Sequence, residues 1–131
     1  MLFTIDTTAL KGLVAKAGKA VSSRSTLPIL SNVLIEAEDR LRISATDLEL
    51  GVITSASADV TSKGRTTLPA RLMLEVVSTL GDGPVTVESD DADHVTFRQD
   101  RIQMAINGLP ADEFPDIPIA TSQRVPCDIL S

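Results

Sequence analysis

Tryptophan and tyrosine are absent from this chain, and Phe3, Phe97 and Phe114 are its only aromatic residues. Stacking recognition of single-stranded nucleic acid needs exposed rings. The scarcity argues against it and leaves phosphates as the route for any nucleic-acid contact. Cys127 is the only cysteine, which excludes an internal disulfide and fits a reducing cytoplasm. His94 is the only histidine. No cysteines or acids stand at metal-ligand spacing around it, so neither a metal nor a cofactor is expected. No apolar run approaches the ~20 residues of a membrane span. Met1-Leu2-Phe3-Thr4 lacks the basic start and long apolar stretch of a signal peptide. The glycines form neither a dinucleotide fingerprint nor a phosphate-cradling loop.

One segment lacks acidic residues altogether. Residues 7–25 hold Lys11, Lys16, Lys19 and Arg24 and no carboxylate. The chain as a whole has a formal net charge of −6, with 12 basic and 18 acidic side chains. This is a local basic stripe on an acidic protein, a pattern that offers one face to a polyanion and repels it elsewhere. Leu10, Leu13, Val14, Ala17 and Val21 recur at spacings of three and four, which predicts an amphipathic helix over about residues 7–21 with an apolar arc of roughly 100°. Lys11, Lys16 and Lys19 share the opposite arc with Gly12, Ala15 and Gly18. Asp6, Thr7 or Thr8 is the expected cap. Each glycine costs the helix roughly 1 kcal/mol against alanine but keeps the lysine face low enough for a bulky partner to approach. The plain alternative is a solvated, solubilising face. Such faces normally mix signs through i,i+4 pairs, and this one does not.

The 131 residues suffice for one domain with a real core, and the order of elements is used twice. Strands are predicted at residues 2–5, 32–38, 41–45 and 48–58, with the basic helix after the first of them and a polar loop at 22–26. The second unit has strands at 65–68, 85–89, 94–98 and 102–106. Its helix at 70–80 starts after Pro69, carries Met73, Val76, Val77 and Leu80 on one face, and is stopped by Gly81-Asp82-Gly83-Pro84. The expected fold is α+β, a duplicated β-α-β-β-β unit with two helices on one side of antiparallel sheets. Three prolines make residues 108–118 an extended connector. Residues 119–131 read as a linker and the start of a second domain, or as a strand completing this one.

Candidate chemistry is sparse. Cys127 has no motif around it. Asp47 and Glu49, two apart in a strand, would share a face and could serve acid–base work or a metal, with turn duty for Asp47 as the simpler reading. Asp90, Asp91 and Asp93 resemble half a calcium loop without its glycine and late glutamate, so a solvated hairpin turn is expected. No catalytic constellation emerges, and the chain is not expected to be an enzyme.

Five stretches then stand out together: Phe3-Thr4, Arg24-Ser25-Thr26-Leu27-Pro28-Ile29-Leu30-Ser31-Asn32-Val33-Leu34-Ile35, Thr46-Asp47-Leu48-Glu49, Thr67-Leu68-Pro69-Ala70-Arg71 and Leu109-Pro110-Ala111-Asp112-Glu113-Phe114-Pro115. In order and spacing they resemble the N-terminal domain of the bacterial DNA polymerase III beta subunit, the sliding clamp, over residues 1 to about 118. The resemblance implies a head-to-tail ring of two chains, each of three such domains, with helices around a central hole and sheets outside. It implies a non-catalytic processivity factor that encircles duplex DNA, is loaded by a clamp loader and tethers replicative and repair polymerases through domains not included here.

By the same resemblance Arg24 and Arg71 contact DNA, while Lys11, Lys16 and Lys19 join them on helix geometry. The ring-closing edge falls at Arg101, Met104 and Ile106, with ordinary core as the alternative for the last two. A different function class also fits the residues: a protein-interaction module that pairs an exposed strand edge with another chain, its lysines only solubilising.

Overall fold

The computed structural model describes residues 1–21 and 28–115. Arg24, the expected 22–26 loop, Cys127 and the expected second-domain start at 119–131 lie outside the described residues. Among those residues the order is β1 (Leu2–Asp6), α1 (Thr7–Ala17), β2 (Asn32–Ala37), β3 (Leu41–Thr46), β4 (Gly51–Ala56), β5 (Asp59–Ser62), β6 (Gly64–Pro69), α2 (Ala70–Thr79), β7 (Pro84–Ser89), β8 (His94–Gln99) and β9 (Ile102–Asn107). The fold is α+β.

The strands form two antiparallel sheets, β5-β1-β7-β8-β9 and β4-β3-β2-β6. The doubled unit is present, but its halves exchange their first strands. β1 opens the first half and pairs with β7 of the second, Phe3 opposite Val87 and Ile5 opposite Val85. β6 opens the second half and pairs with β2 of the first, Leu68 opposite Val33. One buried face per strand pins these registers, because a one-residue slip would turn Phe3 and Ile5 to solvent. The exchange interlocks the halves into one core. Phe3, Val87 and Phe97 of one sheet meet Val33, Ile35, Ile43 and Leu68 of the other, with Leu10, Val14, Met73 and Val77 from the helices between them. The helices lie against each other, and each also touches strands of both sheets.

Two boundaries differ from expectation. The strand predicted at 48–58 is β4 alone, followed by a break and β5. Thr46 Oγ1 accepts from Leu48 N and donates to the Leu50 carbonyl, and Asp47 Oδ1 accepts from Glu49 N and Leu50 N. Those bonds close a turn where a strand was expected. Beyond Ala56 the chain crosses to the other sheet and pairs with β1. The first unit therefore has one strand more than the second. At α1, Asp6 caps the start by accepting from Thr8 N at 3.1 Å. The α-helix ends at Ala17, and a single 3₁₀ turn, Gly18–Ala20, completes the expected span.

Gln99 ties the two helices to the sheet that carries it. The residue is 7% exposed, and its side-chain Oε1 accepts from Gly81 N at 2.8 Å. It donates to the Gly81 carbonyl at 2.8 Å and to Thr7 Oγ1 at 3.0 Å. It thereby joins the start of α1 to the loop after α2. Gln99→Leu keeps the volume and orphans these groups, and is expected to lower stability by about 2 kcal/mol, read as a urea midpoint shift at constant m.

Candidate nucleic-acid interface

The face of α1 away from the core holds Lys11, Lys16 and, on the 3₁₀ turn, Lys19, all exposed. Thr8 and Ala15 fill the space between them. A Cβ built on Gly12 or Gly18 meets nothing within 4 Å. Packing inside the domain therefore does not call for glycine at either position, and the lysine face is shallow.

Ion pairs among the described residues fall elsewhere. Arg42 pairs with Glu36, Lys63 with Asp39, Arg65 with Asp112, His94 with Asp90, and Arg98 with Glu88. All lie on sheets, turns or the segment after β9, and none involves a helix. The three lysines are thus uncompensated, although the chain has acid to spare. On α2 the exposed positions include Arg71 and Glu75, one charge of each sign, with Leu72 and Leu74 at 46% and 37% exposure. The positive field comes from α1.

The carboxylate candidates do not assemble a site. Asp47 and Glu49 occupy the turn before β4, so they do not share a strand face, and Asp47 has the turn duty that the simpler reading gave it. The Leu50 and Glu49 N–H groups hold the Asp47 carboxyl below its ordinary range. A group depressed on folding contributes stability above the ordinary carboxylate value and loses it as pH falls through the folded value. The Asp47 carboxyl is expected to titrate below ordinary aspartates by NMR, with the Leu50 amide shift following it, and Asp47→Asn is expected to flatten that amide curve. Asp90 is lowered likewise, first by the His94 N–H, and closes the hairpin turn before β8. No group of three or more potential metal ligands occurs among the described residues.

β9 is an edge strand of the five-stranded sheet. Arg101, in the turn before it, is exposed, and Met104 is partly buried. Ile106 is 6% exposed and belongs to the core, because it lies opposite buried Val95. Its side chain is covered within this domain, as the ordinary-core alternative expects. Ile102, which alternates with Met104 and Ile106 on one face, is 39% exposed. The period-two pattern contained that signal.

Over residues 1–118 the sequence matches the family described as DNA polymerase III beta subunit, N-terminal domain. The chain belongs to this family. It is 44% identical over 109 residues to a beta sliding clamp of Synechocystis, covering 76% of this chain and 28% of that protein. It is 37% identical over 118 residues to the beta sliding clamp of Caulobacter vibrioides, covering 88% and 32%. The solved DNA polymerase sliding clamp of Caulobacter crescentus superposes with a TM-score of 0.85 at 35% identity over 92% of this chain and 34% of that one. The chain thus spans about a third or less of each of these three relatives.

Within this beta-subunit domain the shared stretches take identifiable places. Thr46-Asp47-Leu48-Glu49 is the bonded turn before β4, and Leu48 there has a φ of 81°, a strained value for a branched residue held by the surrounding bonds. Thr67-Leu68-Pro69-Ala70-Arg71 joins β6 to α2 and leaves Arg71 exposed in the first helical turn. No helix among the described residues is long and apolar enough to cross a membrane.

Proposed function

We propose that this chain is the N-terminal domain of a ring-shaped processivity factor that encircles duplex DNA and tethers the replicative polymerase, with α1 facing the hole. The observation that carries the reading is the uncompensated lysine face of α1 in a family of sliding clamps. Lys11, Lys16, Lys19, Arg24 and Arg71 meet phosphates, which bear no sequence information and so permit sliding. Affinity from so few contacts is modest and salt-dependent. Retention comes from ring topology, which requires no catalytic residue, metal or cofactor. The full-length chain is a cytoplasmic head-to-tail homodimer, closed at the β9 edge through Arg101, Met104 and Ile106, with exposed Ile102 beside them. A clamp loader places it on DNA, and replicative and repair polymerases bind its later domains.

The test is the double variant Arg24→Glu, Lys16→Glu in the full-length chain. Affinity for a short linear duplex at low salt is expected to fall at least about tenfold, since two phosphate contacts become repulsions. Unchanged affinity contradicts the reading and favours a module that uses the β9 edge without DNA.

A further inference from the structure

Each half of the fold ends with a segment laid along the strand that the other half borrowed. After β4, β5 pairs with β1. After β9, Leu109 pairs with Thr67 of β6, each N–H donating to the other's carbonyl at 3.1 Å. The first segment leads into the second unit of the same domain. The second continues along Leu109-Pro110-Ala111-Asp112-Glu113-Phe114-Pro115. That stretch includes none of the residues assigned above to the lysine face or the β9 edge, so the proposed function gives it no role.

Its attachment is built in depth. Thr67 Oγ1 donates to the Leu109 carbonyl at 2.8 Å and accepts from Asn32 Nδ2 at 3.1 Å. Thr67 is fully buried, and Asn32 is 4% exposed. Thr66 Oγ1 donates to Asp93 Oδ1 at 2.6 Å, and Gly108 N donates to the Asp93 carbonyl at 2.8 Å. Farther along, Arg65 reaches Asp112 at 3.0 Å. The short 3₁₀ turn Ala111–Glu113 then ends with Phe114 N donating to the Ala111 carbonyl. A connector needing only reach would not require a buried threonine–asparagine pair beneath it, because buried polar groups cost stability unless fully satisfied.

We propose that Asn32, Thr67 and Arg65 are positioning residues for ring closure. They hold residues 109–114 on the β6 edge, so that the chain departs at Pro115 in one fixed direction toward the next clamp domain. This rests on the ring reading above. A head-to-tail ring closes only when every unit-to-unit rotation is right. A covalent exit that wanders widens that rotation and lets the ring open more often.

The experiment uses the full-length chain on nicked circular DNA and on the same DNA linearised. Thr67→Val leaves Asn32 Nδ2 without its acceptor and is expected to shorten the half-life on circles about tenfold. Arg65→Asp is expected to shorten it about twofold to fivefold, as befits an exposed pair. Arg65→Asp combined with Asp112→Arg restores it, which a purely local loss of stability at either site would not do. Binding to a short linear duplex stays unchanged throughout, while hydrogen-exchange protection of the Leu109 amide falls in Thr67→Val.

Wild-type half-lives equal on circular and linear DNA sink the ring reading, and the inference with it. Wild-type retention on circles with unchanged half-lives for both Thr67→Val and Arg65→Asp overturns the inference alone. The exposed Arg65–Asp112 pair keeps the test decisive should Thr67→Val fail to fold.

Discussion

Gly108→Ala is expected to lower the thermal unfolding midpoint of the domain by about 10–15 °C, equivalent to about 3–4 kcal/mol. A Cβ at this position would lie 2.2 Å from the Thr67 carbonyl oxygen, 3.0 Å from that of Asp93 and 3.2 Å from Leu68 Cδ2. The first two obstacles are backbone and cannot rotate away. Relief requires residues 108–109 to lift from β6, which breaks the Thr67–Leu109 pair and the Gly108–Asp93 bond together. The cause is space, since the backbone angle at Gly108 lies outside the left-handed region. Gly12→Ala is the matching control. Its new methyl meets open solvent on a helix, so it is expected to raise stability by up to about 1 kcal/mol. Calorimetry of the two variants checks both signs, and an unchanged midpoint in Gly108→Ala contradicts the packing described for β6.

Lys11→Ala, Lys16→Ala and Lys19→Ala together are expected to remove a little over half of the salt dependence of duplex binding. Each neutralised phosphate contributes about −0.9 to the slope of log affinity against log salt. Three contacts contribute about −2.7, so between 50 and 200 mM salt wild-type affinity falls about fortyfold from these lysines alone. The triple variant is expected to lose at least about tenfold in affinity at low salt and to keep a slope of only about −1.8, from Arg24 and Arg71. Its thermal midpoint is expected to match wild type, because the three side chains make no ion pair among the described residues and point away from the core. Fluorescence anisotropy with two unrelated duplex sequences is the measurement, and equal losses on both are expected. A slope unchanged by the triple substitution would assign the salt dependence to other residues.

Much of the fold was legible because local signals agreed. Helix spacing at Leu10, Leu13, Val14 and Ala17 gave α1 its buried side, and the Asp6 cap followed from a short acceptor before the first turn. Alternation located seven of the nine strands to within a residue or two at each end. Two kinds of fact were not legible. The exchange of β1 and β6 between halves depends on long-range pairing, and period-two alternation names a buried face without naming the neighbour. The turn at 46–50 depends on side-chain oxygens competing for backbone N–H groups, and the β-branched run at Val52-Ile53-Thr54 masked it. The lysine face was plain from charge alone. The burial of Ile106 was not legible, because Ile102, Met104 and Ile106 share one face and only the packing over β9 decides which of them is covered.

The most direct test of the account needs no substitution. Full-length protein is loaded on closed circular duplex DNA, and its half-life is followed before and after a single cut linearises the circle, at a salt concentration that screens phosphate contacts. A ring lined by α1 is expected to remain on the intact circle and to slide off within moments of the cut. Equal loss from circle and linear DNA would mean that nothing encloses the duplex, and the cationic helix would then be no more than a solvated surface.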